Sequence, residues 1–191
     1  MIKDTELKKR RIPKIFWAGL ILAGTVGMVK MGAFGDFRNN KLVFPTKTVV
    51  TVIIDGDTFT LKNGLSFRLA GVNAPDRNVN YEDYLEAKDW LTRRIKDKVV
   101  YLEYDRYLDE KFGRLTGYVW LGCESTPKFK PWNYMKKSQN ESMPELRENP
   151  DGCKVGVMVN EELIKSGNGK FKVYSEWGKL KYQGRLGGIR N

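Results

Sequence analysis

Three short stretches of this chain carry residue types and spacings that could do chemistry. Ile54-Asp55-Gly56-Asp57-Thr58 sets two carboxylates on a turn ahead of a strand. Phe67-Arg68-Leu69-Ala70-Gly71-Val72-Asn73-Ala74-Pro75-Asp76 carries an arginine, an amide and an acid. Asp109-Glu110-Lys111-Phe112-Gly113-Arg114 supplies a second arginine. A guanidinium fork binds two phosphate oxygens at once. Carboxylate, amide and backbone oxygens suit a hard cation such as calcium, and a carboxylate can take the proton of an attacking water. Those are the parts for hydrolysing a phosphodiester, with arginine stabilising charge at phosphorus. Each stretch alone is also an ordinary surface turn or strand end, so the weight rests on their joint order.

The chain has no histidine. That excludes Ser-His-Asp and Cys-His triads, an HExxH zinc site and a histidine general base. Cys123 and Cys153 lack CxxC spacing, which speaks against a zinc or thioredoxin-like motif. With 34 Lys+Arg against 23 Asp+Glu, the net charge is +11. A basic domain favours polyanions, nucleic acid or anionic lipid. The first 40 residues hold 8 of those basic and 3 of the acidic side chains, so part of the excess is local.

The elements that must hold these groups are short and β-rich. Val49–Ile54 is a β-branched run, and Thr58–Leu61 resumes after the Asp-Gly-Asp turn. Lys62-Asn63-Gly64 predicts a tight hairpin of type I′, with Ser66–Ala70 as the returning strand. A helix is expected over Tyr81–Lys96, with Tyr84, Leu85, Leu91 and Ile95 on one face. Val99–Tyr104 and Leu115–Leu121 read as further strands. Asn160 is placed to cap a short helix, Glu161–Ser166, that Gly167 ends. Three strands, a helix, two strands and a helix suit an α+β fold built on a five-stranded, partly open barrel.

Ahead of this lies a basic segment, 1–14, then an apolar stretch, 15–35, then a linker, 36–46; the domain is expected over 47–191. The uncharged run Ile15–Val29 would span about 22 Å as a helix, short of the roughly 30 Å hydrocarbon core. Lys14 and Lys30 could snorkel and Met31–Phe34 extend the span. The basic cluster before it predicts a cytoplasmic N-terminus with the domain outside. An uncleaved single-pass membrane anchor and a cleaved signal peptide, giving a secreted protein, both stay open. A long insertion, 122–154, separates the last two elements, with Cys123 and Cys153 near its two ends. A hairpin would bring them together, and outside the cytoplasm a disulfide is expected there; two free thiols are the alternative.

Taken with Val159-Asn160-Glu161-Glu162-Leu163-Ile164-Lys165-Ser166-Gly167, the three stretches resemble the staphylococcal nuclease (thermonuclease) family from about Thr48 to Leu186. The resemblance implies an OB-fold and a calcium-dependent nuclease acting on DNA or RNA. By the family's arrangement Asp57, Asn73 and the backbone carbonyl of Ala74 would hold Ca2+. Arg68 and Arg114 would clamp the phosphate, and Asp76 would stand where the family has its general base. Lys111 and Phe112 would lie near the substrate phosphate and base. Two positions depart from the pattern: Asn73 replaces an aspartate, and Asp76 replaces a glutamate, shorter by one methylene. A misplacement of about 1 Å can cost about a hundredfold in rate, so a slow or inactive site is implied beside an active one. Val173–Gln183 resembles the start of the family's last helix, and Gly184, Gly187 and Gly188 would weaken it. A monomer is expected. The competing readings are a non-catalytic module binding nucleic acid or a protein partner, and a structural role at a membrane.

Overall fold

The computed structural model describes residues 44–109, 113–135, 143–174 and 178–190. The basic N-terminus and the apolar stretch 15–35 lie outside these residues, as do Lys111 and Phe112. Among the described residues no helix is long and apolar enough to cross a membrane.

The elements in chain order are β1 (Lys47–Ile53), β2 (Thr58–Leu61), β3 (Ser66–Leu69), β4 (Val72–Asn73), α1 (Tyr81–Ile95), β5 (Val99–Asp109), β6 (Arg114–Leu121), β7 (Val157–Met158), α2 (Val159–Lys165), β8 (Lys170–Phe171) and α3 (Gln183–Gly187). The main sheet runs β3-β2-β1-β5-β6-β7. Its pairings are antiparallel except β3 with β6, which run parallel in the register Arg68↔Thr116 and close the sheet on itself. Inside that closure alternate residues of each strand meet: Phe59, Leu61, Phe67, Leu69, Val100, Leu102 and Val119 are all fully or almost fully buried.

Several expectations are corrected in detail. The hairpin after β2 is not type I′, because only Gly64 has positive φ (82°). Leu61 and Leu65 close a three-residue loop, Leu61 N donating to Leu65 O at 2.9 Å. That geometry asks for one left-handed residue at the third place, and glycine takes it without strain. Helix α1 is capped by Asn80, whose side chain accepts from Glu82 N and Asp83 N. Its buried stripe is Ala87, Leu91 and Ile95, at i, i+4 and i+8. Leu91 and Ile95 are buried as expected, but Leu85 is exposed and Tyr84 only half-buried, and Ala87 completes the core face in their place.

Asn160 does not cap α2; it sits inside the helix and is fully buried. Its Oδ1 accepts from Val119 N (3.1 Å), while Nδ2 donates to Ala70 O (2.9 Å) and Gly117 O (3.1 Å). One amide thus stitches the helix to β6 and to the end of β3, satisfying buried backbone groups that would otherwise cost free energy. Arg94 of α1 forks onto Glu162 of α2 with both N–O distances 2.7 Å.

The last helix is short, as the glycines implied, but it lies later than expected: the described residues of 173–182 are not helical, and the helix runs from Gln183 with Gly184 and Gly187 within it. Tertiary contact outweighs helix propensity here. A Cβ on Gly184 would come within 2.6 Å of Glu145 Oε2, and one on Gly187 within 3.0 Å of the Phe171 ring. Leu186 is fully buried, and Arg185 pairs with Glu161. The glycines let the helix lie against these neighbours.

The insertion is tied down where it is described. Cys123 and Cys153 form a disulfide with Cα atoms 4.1 Å apart. Ser125 N and Lys128 N donate to Gly152 O and Asp151 O, and the Glu124 carboxylate accepts from Lys154 N at 2.8 Å. Leu146 N donates to Lys181 O, so the insertion also packs on the C-terminal segment.

Candidate active site

The Asp55-Gly56-Asp57 turn is held by Asp57 N donating to Asp55 Oδ1 (3.0 Å) and by Ile54 N reaching Thr58 O (2.9 Å). Gly56 is required by closeness: a Cβ there would meet Ala74 Cβ at 2.6 Å and Ala87 Cβ at 2.7 Å. The turn therefore presses against α1 and the segment after β4, and Asp57 is driven inward to 3% exposure.

Three donors converge on the Asp57 carboxylate. Oδ1 accepts from Arg68 Nη1 at 2.7 Å and from Thr58 Oγ1 at 2.8 Å. Oδ2 accepts from Ala74 N at 3.0 Å. Arg68 Nη2 reaches Asn73 Oδ1 at 3.3 Å, and Asn73 Nδ2 donates to Ala74 O at 3.2 Å. Asn73 is positioned by a short β4–β8 ribbon, opposite Lys170, a pairing that nothing in the sequence signalled. Burial pushes the Asp57 carboxyl up to about 6 from its ordinary 3.8. Arg68 pulls against that rise, the Asp55 charge adds to it, and the hydrogen bonds from Ala74 N and Thr58 lower it again.

Arg114 opens β6. Because side chains alternate along a strand, it leaves the sheet on the same face as Thr116, two residues on, and Thr116 is the register partner of Arg68. Both arginines therefore belong to one face of the β3–β6 pair. Asp76 lies beyond Pro75, exposed, with Oδ1 accepting from Asn78 N at 2.7 Å in a local turn. The structure brings together Asp57, Arg68, Asn73 and Ala74, sets Arg114 on the same face, and leaves Asp76 pointing into its own turn. Asp55 and Thr58 shape the Asp57 carboxylate and were not singled out as functional; their place beside it in Asp-Gly-Asp-Thr was the available signal.

Residues 66–186 match the family described as staphylococcal nuclease homologue. This chain belongs to the staphylococcal nuclease family. A thermonuclease of Staphylococcus hyicus is 33% identical over 114 residues, 56% of this chain and 67% of that protein. A thermonuclease of Staphylococcus intermedius is 39% identical over 83 residues, 40% of this chain and 49% of that protein. The matched span of this family member takes in Arg68, Asn73, Ala74, Asp76 and Arg114, and starts after Asp57. Its α+β fold, a mostly antiparallel sheet with few helices, is the family's OB type.

The oxygens gathered here fit a hard cation in kind: the buried carboxylate of Asp57 and, from a separate stretch of chain, the amide oxygen of Asn73 and the backbone carbonyl of Ala74. They are poor in charge, since no group of three or more acidic or sulfur side chains able to hold a metal occurs among the described residues.

Proposed function

We propose that this protein is a nuclease hydrolysing phosphodiester bonds of DNA or RNA with calcium as cofactor. What supports the reading is the convergence of Arg68 on Asp57 and Asn73, with Arg114 on the same sheet face. Asp57, Asn73 Oδ1 and Ala74 O would hold the cation, which when bound adds positive charge beside the phosphate.

The chain's own residues supply the rest. Arg68 and Arg114 engage the phosphate oxygens and stabilise the charge that builds up in the transition state. Arg68 is mostly covered, its side chain 12% exposed, so its charge acts in surroundings drier than water. The exposed Asp76 receives the water's proton, its side chain turning out of the Asn78 contact to do so. The apolar stretch 15–35 tethers the domain to a membrane or directs its export, with the nuclease outside the cytoplasm and acting as a monomer.

The test is cleavage of single-stranded DNA and RNA by the full chain in millimolar calcium, beside a chelator and beside Arg68→Ala. Cleavage that needs calcium and falls at least about a hundredfold in the variant, as loss of a charge-stabilising donor does, is the expected result. No cleavage at high protein concentration overturns it. A second reading, a module that binds nucleic acid without turnover, draws on Asn73 and on Asp76 held in its own turn. Asn73→Asp combined with Asp76→Glu separates the two. A gain of about a hundredfold marks an attenuated enzyme; salt-sensitive binding with no gain marks the binding module.

A further inference from the structure

Arg77, Tyr81, Tyr84 and Lys88 form a ladder at the start of α1. Tyr81 and Tyr84 stack, with ring centres 6.2 Å apart and planes inclined by 20°. The Arg77 guanidinium lies 5.7 Å from the centre of the Tyr81 ring, and Lys88 Nζ lies 5.9 Å from that of Tyr84. Positions 81, 84 and 88 follow the i, i+3, i+7 spacing that puts side chains on one helix face. At about 100° per residue, Glu82, Asp83, Glu86 and Asp89 fall a quarter-turn or more from the line through those three. The ladder is thus a cation, two rings and a cation, with the acids of the helix turned elsewhere.

Core packing does not account for it. Tyr81 is 52% exposed, and its hydroxyl has no hydrogen-bond partner among the described residues. Arg77 and Lys88 have no ion-pair partner among those residues either, whereas Arg93 and Arg94 of the same helix pair with Asp89 and Glu162. The ladder is also tied to the candidate site. Arg77 directly follows Asp76. Tyr84 Oη donates to Ile54 O at 3.3 Å, at the head of the Asp55-Gly56-Asp57 turn, and Gly56 of that turn lies against Ala87. Exposed ring faces flanked by cations suit a strand whose bases are open to stack and whose phosphates are negative. A duplex offers its phosphates but keeps its base faces stacked on one another.

We propose that this ladder is a track for single-stranded nucleic acid, holding nucleotides that flank the bond engaged by Arg68 and Arg114. Bases stack on Tyr81 and Tyr84, and Arg77 and Lys88 meet phosphates. The proposal rests on the nuclease reading above for the bond that the track flanks. It makes single strands long enough to reach α1 better substrates than short ones, and better than duplex. A lipid surface would draw on the exposed Val79 and Leu85 as well. Two stacked rings closed at each end by a cation, beginning one residue from Asp76, favour a strand.

The test compares the full chain with Tyr81→Ala, Tyr81→Phe and the double variant Arg77→Gln with Lys88→Gln. Binding of single-stranded DNA and RNA is measured in chelator, and kcat/KM in calcium, on strands of about 4 to 16 nucleotides. In Tyr81→Ala, affinity for the longest strand is expected to fall about tenfold, and the kcat/KM ratio of longest to shortest strand by a similar factor. Tyr81→Phe keeps both, since the ring is what stacks. The double variant lowers the slope of log affinity against log salt by about 1.4, the share of two phosphate contacts on a single strand. Wild-type affinity and length preference in Tyr81→Ala, or an unchanged salt slope in the double variant, overturn the proposal while the nuclease reading stands. So does a Tyr81→Ala chain that binds strands normally but sediments less with phosphatidylserine vesicles, which assigns the ladder to a lipid surface. A wild-type chain that binds strands through Tyr81 but never cleaves them overturns the nuclease reading and leaves the track standing. One that neither binds nor cleaves overturns both.

Discussion

Asp57–Arg68 and Glu103–Lys181 are both acid–base pairs taken out of water, and they are finished in different ways. Lys181 and Glu103 are wholly buried and 3.3 Å apart. Glu103 also accepts from Tyr182 Oη (3.0 Å) and Trp120 Nε1 (3.2 Å), while Lys181 Nζ also donates to Tyr104 O (2.5 Å) and Lys130 O (2.9 Å). Burial still holds the Glu103 carboxyl above, and the Lys181 ammonium below, their ordinary values, each being pulled back by the other. The polar atoms that surround this pair come from β5, β6, the insertion and the C-terminal segment, so it fastens four parts of the chain. Asp57–Arg68 instead keeps an edge to solvent through Arg68 and the exposed Asn73. A pair closed on all sides serves the fold, whereas one left open on a side can exchange its partner for a ligand.

Lys181→Met attacks the closed pair and carries the largest expected effect. It leaves a buried carboxylate without its counter-charge, and about 3–5 kcal/mol of stability is expected to go. Denaturant unfolding at pH 7 measures it. The loss should shrink as pH falls, because a Glu103 freed of Lys181 protonates more readily in the folded state than in the unfolded one. A variant as stable as wild type at pH 7 would mean the pair does not lock the C-terminal segment.

Replacing Cys123 and Cys153 by serine loosens the insertion that lays the Lys130 carbonyl on Lys181. The ring spans 30 residues, and the chain-entropy relation gives about 3–4 kcal/mol, read as a lower Tm. The open pair belongs to β2, β3 and β4, so the calcium response should survive below the new Tm. Loss of that response in the folded double variant would show that the insertion supports the site as well.

Asp57→Asn sharpens the comparison with the smallest effect and the opposite sign. The folded carboxyl titrates near 6 against an ordinary 3.8. The folded state thus binds the proton more tightly, and stability falls as pH rises through this window. At pH 7 the ionised carboxylate costs about 3 kcal/mol. Asparagine removes that cost, but its amide then faces the Ala74 N–H, so a net gain of about 1–2 kcal/mol is expected in chelator. Unfolding curves at pH 7 and pH 4.5 test this: the advantage should be present at the first and nearly absent at the second, while cleavage is lost. A destabilised variant at pH 7 would show that the Arg68 pairing outweighs burial.

Much of the frame was legible in the chain itself. The five longer strands, the helix from Tyr81 and the stop at Gly167 follow from β-branched runs, a helical spacing of apolar residues and a glycine able to take positive φ, all local preferences. The order of Asp57, Arg68, Asn73 and Arg114 was legible because their three stretches, taken together, resemble the staphylococcal nuclease family, which each stretch alone does not. The hairpin type and the buried face of α1 were missed by small margins, since neighbouring solutions have similar local energies.

What no local rule could give is contact between distant segments. Whether Asn160 caps a helix or stitches β3 to β6 depends on which backbone groups the sheet leaves open. The glycines of α3 read as a helix breaker until Glu145 and Phe171 are seen lying against them. Lys181 looks like any surface lysine in sequence, because its burial depends on a carboxylate 78 residues away. The residue types of the site were therefore written in the sequence, through chemistry and spacing. Which charges are buried, and which keep a side open, was decided only by tertiary packing, because desolvation belongs to the whole surroundings of a group.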